Sequence, residues 1–389
     1  MNDRYGNFTI SVRQFTILIM LGTIGDSILV LPVILADKAK QDAWLSMLLS
    51  IVFGMAIGGI FAAIANRMGR RSIFDAVSQA GGRWLGSIVV LLLLFEYFMC
   101  SLSLLSEMSQ FMTTQLMPET PVNAIMLLFL AVVIIACRYG VEAFARMGEL
   151  LYPFMVGLCA VLVILLLPQV NVANLKPYVT AGPVPIMHGG FIAFTFVFTE
   201  MVILLSLVPH VSAKDGAKLT KPILSGLAFG GAVLVVTVLF CVLVLGPSLM
   251  VTKYYSTFVL AQKIQIGHFL ERLEAIFAFL WIITVFYKTL LLFFSMTEGI
   301  GCLLGLRENR MLTIPLGMML LVWTSAGTPN ITVYNAILTT AYPWFDLTFC
   351  AGLPVLLLAI LLIGGRSRPR TAQASPSDGH GRDQPQGQP

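Results

Sequence analysis

The stretch VRQFTILIMLGTIGDSILVLPVIL, residues 12–35, decides the fold. A helix that crosses a bilayer needs roughly 17–25 mostly apolar residues, and this run has that length. At its midpoint stand Gly22-Thr23-Ile24-Gly25-Asp26-Ser27, with Pro32 beyond. Glycine and proline interrupt a helix, and an interrupted span leaves free N–H groups and carbonyls that bind a charged ligand end where they line a protein cavity. The run therefore reads both as a membrane span and as part of a binding site.

Composition carries the first half of that reading to the whole chain. Of 389 residues, 58% are hydrophobic and only 11% charged, against roughly 25% charged in a soluble domain. The mean hydropathy is +0.89. A cytosolic enzyme, a nucleic-acid binder and a secreted disulfide scaffold are excluded. The six cysteines lie far apart within or beside apolar runs, without a CxxC, and read as small packing residues. The opening MNDRYGNFTISVRQ is too polar for a cleaved leader, so the first run is taken as a span.

Measured against the bilayer, ten runs qualify: about 12–35, 43–65, 85–117, 122–137, 145–168, 187–208, 222–245, 269–300, 311–326 and 335–363. Residues 367–389, rich in Pro, Gly, Ser and Gln, are expected to be a disordered tail after a membrane domain over 1–366. With the N-terminus inside, 17 of the 24 Lys and Arg residues fall on the inner side, so both termini are expected in the cytoplasm. Ten spans divide into halves of about 1–170 and 171–363. An odd number of spans per half gives them opposite orientation, the five-plus-five inverted repeat of secondary transporters. The third run of each half is long and the fourth short, and the first run of each is interrupted. In the second half that interruption is Pro183, Pro185 and Gly189-Gly190, followed by Thr195, Thr199 and Glu200.

Charges at bilayer depth cost roughly 2.5–3.5 kcal/mol each on insertion scales, so each marks a functional candidate. Asp26, Glu96, Glu107, Glu200, Lys288 and Asp346 qualify. Steps of three and four through the third run join Glu96, Cys100, Ser103, Glu107, Gln110 and Thr114 into one stripe, with Tyr97 beside it. Such a stripe faces a hydrated cavity or polar partners. In the eighth run Thr284, Lys288 and Ser295 share a face, with Tyr287 adjacent. Lys288 is too deep to snorkel easily to either surface, so it is expected either to have a carboxylate partner, with Glu200, Glu96 and Asp26 as the candidates, or to give up its charge. It can stand where a coupling cation would otherwise sit, or meet a ligand carboxylate. Glu96, Glu107, Glu200 and Lys288 are the candidates for moving a proton or charge. Pro209-His210 reads as a helix stop. No metal spacing and no hydrolase or nucleotide-binding motif is present, so neither enzymatic activity nor a cofactor is expected.

Gly25-Asp26-Ser27-Ile28-Leu29-Val30-Leu31-Pro32, Glu119-Thr120-Pro121, Asn174-Leu175-Lys176-Pro177, Thr199-Glu200 leading to Pro209-His210, and Glu271-Arg272-Leu273-Glu274 with Trp281-Ile282-Ile283 form an ordered set over residues 8–363. In that set the chain resembles the spore germination permease family, the integral-membrane B subunit of nutrient germinant receptors, within the amino acid–polyamine–organocation transporter superfamily. The resemblance implies an all-helical ten-span bundle with broken first and sixth helices. It also implies recognition of a small nutrient such as an amino acid, and assembly with an A subunit and a lipoprotein C subunit in the spore inner membrane.

The implied pocket takes in Thr23, Gly25, Asp26, Glu96, Tyr97, Phe196, Phe198, Thr199, Glu200, Thr284, Tyr287 and Lys288; the polar stripe adds Cys100 and Ser103. Two positions depart from permease usage. Gly25-Asp26-Ser27 replaces a Gly-x-Gly that receives the ligand carboxylate, and Phe198 stands where a glycine is usual, which narrows or redirects the pocket. Lys288 is then the anion-binding candidate. The expected function is nutrient sensing, with proton-coupled amino-acid or amine transport as the alternative.

Overall fold

The computed structural model describes residues 9–69, 71–80, 82–177, 179–212, 218–264, 273–306, 308–327 and 339–364. The expected tail, Glu271-Arg272 and residues 335–338 of the last run lie outside them. Helix α1 (Val12–Ile24) starts from a capping box in which Ser11 Oγ accepts the Gln14 N–H and Gln14 Oε1 accepts the Ser11 N–H. It stops at Gly25, whose φ of +37° no ordinary side chain adopts comfortably, and α2 (Ser27–Ala39) resumes after Asp26. The run that reads as one span is thus two helices with a break at mid-length.

Helices α3 (Ala43–Met68), α4 (Ile73–Ala80) and α5 (Gly82–Phe111) follow, α5 passing into a π-helical stretch over Met112–Leu116. Helix α6 (Val122–Tyr139) and α7 (Val141–Leu166) are separated by Gly140 alone, at φ +90°. Helix α8 (Pro183–Phe194) gives way to a π-helical Thr195–Thr199, a 3₁₀ stretch Glu200–Ile203 and the short α9 (Leu204–Leu207). Then come α10 (Thr220–Thr252), kinked at Gly246 before Pro247, α11 (Ser256–Gln262), α12 (Leu273–Leu304) and α13 (Thr313–Gly327). The last run consists of α14 (Tyr342–Asp346), a π-helical Leu347–Gly352 and α15 (Leu353–Gly364).

Among the described residues the only extended pairing is an isolated bridge between Ile10 and Val211. Eight helical stretches of the described residues are long and apolar enough to cross a membrane, and α1 is a shorter apolar helix. The chain is an integral membrane protein, and its side chains are distributed accordingly. Leu128, Leu150 and Met318 are exposed, while Glu96, Glu200, Lys288 and Asp346 are buried. Backbone groups at this depth must be satisfied internally, which helices do.

Two helices fall between the expected runs. Helix α4 buries Ile73, Phe74 and Val77 against α5, and α11 packs on α10 and α12. Each is too short to cross a bilayer, so hydropathy alone passes over it. Helices α5 and α12 are long, with 30 and 32 residues, whereas the 33 residues of α10 are two helices that meet at the non-helical Gly246. Helix α1 packs on α10 and α12, α3 on α8 and α10, and α5 on α12. That packing brings the break at Gly25 beside α12 and the interruption after Phe194.

Candidate functional site

The break at Gly25 and the missing N–H of Pro32, four residues after Ile28, leave two carbonyls without helical partners, and hydroxyls from other helices satisfy them. Thr284 Oγ1 donates to the Gly25 carbonyl at 2.8 Å, and Thr257 Oγ1 donates to that of Ile28 at 2.7 Å. Asp26 sits in the gap. One turn along α12 from Thr284, Lys288 reaches Asp26 Oδ1 at 2.6 Å and Glu200 Oε2 at 2.5 Å. All three side chains are buried, Lys288 with 1% of its surface exposed. The ammonium thus bridges the break in the first run to the π-to-3₁₀ switch in the sixth, where Glu200 lies. At this depth the pairing is obligatory: a lysine without a carboxylate could not remain charged there.

A second group of side chains extends the bridge. Tyr342 Oη donates toward Glu200 Oε1 and Cys100 Sγ, each at 3.1 Å. Cys100 and Cys350 both donate to Glu96 Oε1, at 3.1 and 3.3 Å. Asp346 lies alongside: one ligating atom each from Glu96, Cys100 and Asp346 fall within 4.8 Å of one another, the one grouping among the described residues close enough to hold a metal ion. A continuous polar chain therefore runs Asp26–Lys288–Glu200–Tyr342–Cys100–Glu96–Asp346 through an apolar bundle.

Of the residues singled out from sequence, Gly25, Asp26, Glu96, Cys100, Glu200, Thr284, Lys288 and Asp346 meet in this chain, and Phe196 packs on Tyr342 with ring centroids 5.2 Å apart. The others are turned elsewhere. Thr23 bonds to the Ile19 carbonyl and faces Gly230 of α10. Phe198 fills a notch between Gly54 and Gly231, so its ring packs between α3 and α10. Tyr97 meets Phe74 of α4 edge-on, Tyr287 donates to the Phe144 carbonyl, and Thr199 bonds to the carbonyl of Thr195. Ser103 is half-buried, and Glu107 lies toward Tyr255.

Tyr342 and Cys350 were not singled out. The signal for them is present: Tyr342, Asp346 and Cys350 recur at steps of four, the same spacing that reveals the stripe on α5. Tyr342→Phe tests the junction between the two ends of the chain. It removes a donor to a charged acceptor, an interaction worth about 1.5–3 kcal/mol. Thermal melting of the purified variant should show a loss of that size; an unchanged melt would remove Tyr342 from the chain.

Two kinds of likeness accompany this geometry. Among the solved structures that share the fold are two transporter-fold examples. One is Mhp1, a nucleobase-cation-symport-1 family transporter in a closed conformation with bromovinylhydantoin bound (TM-score 0.70, 13% identity, 94% of this chain and 81% of that one). The other is MhsT in complex with L-phenylalanine (TM-score 0.65, 13% identity, 91% and 99%).

Among proteins of similar sequence, spore germination protein KB of Bacillus subtilis is 26% identical over 80% of this chain and 83% of its own length. Spore germination protein YndE of the same organism is 22% identical over 90% and 96%, and spore germination protein XB of Bacillus anthracis 24% over 78% and 85%. The profile of the spore permeases, described as spore germination protein, matches residues 9–331. The chain belongs to the spore germination protein family.

Proposed function

We propose that this protein is the membrane-embedded nutrient-recognising subunit of a germinant receptor, with the Asp26–Lys288–Glu200 bridge as its recognition site. The observation that carries the reading is the bridge itself. It joins two interrupted helices through one ammonium, at the place where a transporter fold receives its ligand. An amino acid carries both charges needed to open it: its carboxylate takes Lys288, and its ammonium replaces Lys288 at Asp26 or Glu200. That exchange costs little charge separation and frees the two helix breaks to move, so the ligand binds one state of the bundle better than the other. Such differential affinity is the only source from which a signal can arise. The kinship with spore germination proteins supports sensing, without a catalytic step, as the outcome.

The same reading places ten spans in a five-plus-five inverted repeat, both termini in the cytoplasm, and the protein in the spore inner membrane with an A subunit and a lipoprotein C subunit. The bridge, with Phe196 beside it, is the ligand site, and Cys100, Glu96 and Tyr342 transmit its state.

Glu200→Gln tests the site, because it leaves the Lys288–Asp26 pair intact. Spores carrying it should require at least about tenfold more nutrient for a half-maximal germination response, equivalent to about 1.4 kcal/mol of binding, with the protein still present in the membrane. A wild-type dose response to every nutrient in a panel of amino acids and sugars would sink the assignment. The second reading, a secondary transporter, is favoured by the fold shared with Mhp1 and MhsT. Uptake of labelled amino acid into liposomes holding this protein alone would establish it in place of sensing.

A further inference from the structure

The far end of the polar chain has a charge problem that the bridge does not solve. Lys288 compensates Asp26 and Glu200, and its reach ends there. Glu96 and Asp346 are both fully buried, and among the described residues neither forms an ion pair with a lysine or arginine. Glu96 Oε1 accepts two thiols, whereas among the described residues Glu96 Oε2 and both oxygens of Asp346 receive no donor from backbone or side chains. The other titratable groups facing the pair are Tyr97 and Cys100 of α5, Cys350 of the π-helical stretch, Tyr342 of α14, Glu200 of the 3₁₀ stretch and, further off, Lys288 of α12. None of them presents a proton to Asp346.

We propose that Glu96 and Asp346 form a proton-binding site that holds one proton between them, carried on Asp346 and donated to Glu96 Oε2. The assignment within the pair follows from the donors. Glu96 already accepts two thiols as a carboxylate would, whereas Asp346 becomes satisfied only by supplying a hydrogen itself. Two ionised carboxylates at this separation in a dry interior repel, and a shared proton removes the repulsion and satisfies two of the three unmet oxygens, Glu96 Oε2 and the Asp346 oxygen that carries it. The ligand is a proton exchanged with water, and no bond other than O–H is made or broken. Since Cys100 contacts both Glu96 and Tyr342, the occupancy of this site is felt at Glu200. The site stands on the charge arrangement alone, so it is independent of whether a nutrient opens the bridge.

Infrared difference spectroscopy on the purified full-length chain in lipid nanodiscs tests it. Wild type minus Asp346→Asn should show the C=O stretch of a protonated carboxylic acid, shifted by H/D exchange, with no loss of ionised carboxylate. Glu96→Gln should move that band, because the acceptor becomes an amide. Three results would overturn the proposal. One is loss of an ionised carboxylate signal in Asp346→Asn; another is a band that Glu96→Gln leaves unmoved. The third is elemental analysis finding one divalent metal per wild-type chain that Asp346→Asn lacks, since Glu96, Cys100 and Asp346 would then be metal ligands.

Discussion

Lys288→Met should destabilise the protein by about 3–5 kcal/mol, the loss measured when one member of a buried ion pair is removed. The reason is the state of what remains. Asp26 and Glu200 each lie within 2.6 Å of the same ammonium, and without it two carboxylates face each other at bilayer depth. Thermal melting of the purified variant reads the loss. Combining Lys288→Met with Asp26→Asn and Glu200→Gln should recover most of it, since charges removed together leave no uncompensated partner. The recovered triple variant should nevertheless give no nutrient response in spores. A single Lys288→Met variant as stable as wild type would show that the bridge is absent.

Gly25→Ala should come second in size, through geometry instead of charge. A Cβ at Gly25 would lie 2.5 Å from Lys288 Cδ and 2.9 Å from the Gly22 carbonyl oxygen, on a backbone held at φ +37°. A strained backbone region costs about 1–3 kcal/mol, and overpacking adds about 1–3 kcal/mol more. The lysine stem must shift to make room, which pulls its ammonium away from Asp26. Gly22→Ala is the control. There a Cβ meets only the ends of the Leu291 and Met201 side chains, at 3.3 Å, and these can yield. Melting should separate the two variants clearly; equal effects would mean that the close approach of Lys288 to the break does not exist.

The interruption at Gly25-Asp26 was legible because its cause is local: glycines and an acid inside an apolar run cannot continue a helix undisturbed. The stripe on α5 was legible for a similar reason, since Glu96 and Cys100 are four residues apart on one helix. What Lys288 pairs with was not. Asp26, Glu96 and Glu200 were equal candidates, and only the packing of α1, α12 and the sixth run decides that Asp26 and Glu200 reach the ammonium while Glu96 joins Asp346.

Aromatic rings show the same limit. Phe198 and Tyr97 stand at pocket positions in the chain, yet Gly54 and Gly231 open a notch that draws Phe198 toward α3 and α10, and Phe74 draws Tyr97 toward α4. Whether a ring lines a site or fills a notch depends on where distant glycines fall. In the last run, the π-helical Leu347–Gly352 changes the register between Asp346 and Cys350. Counting by four raises that pair without proving that both side chains point to Glu96.

Recognition of the nutrient by the Asp26–Lys288–Glu200 bridge, as proposed above, can be read most directly by thermal-shift measurement of the purified wild-type and Glu200→Gln proteins against each proteinogenic amino acid in turn. At least one amino acid should raise the melting temperature of the wild type, and that rise should be lost or sharply reduced in Glu200→Gln. An amino acid that stabilises both proteins equally, or a wild type that none of them stabilises, would contradict it.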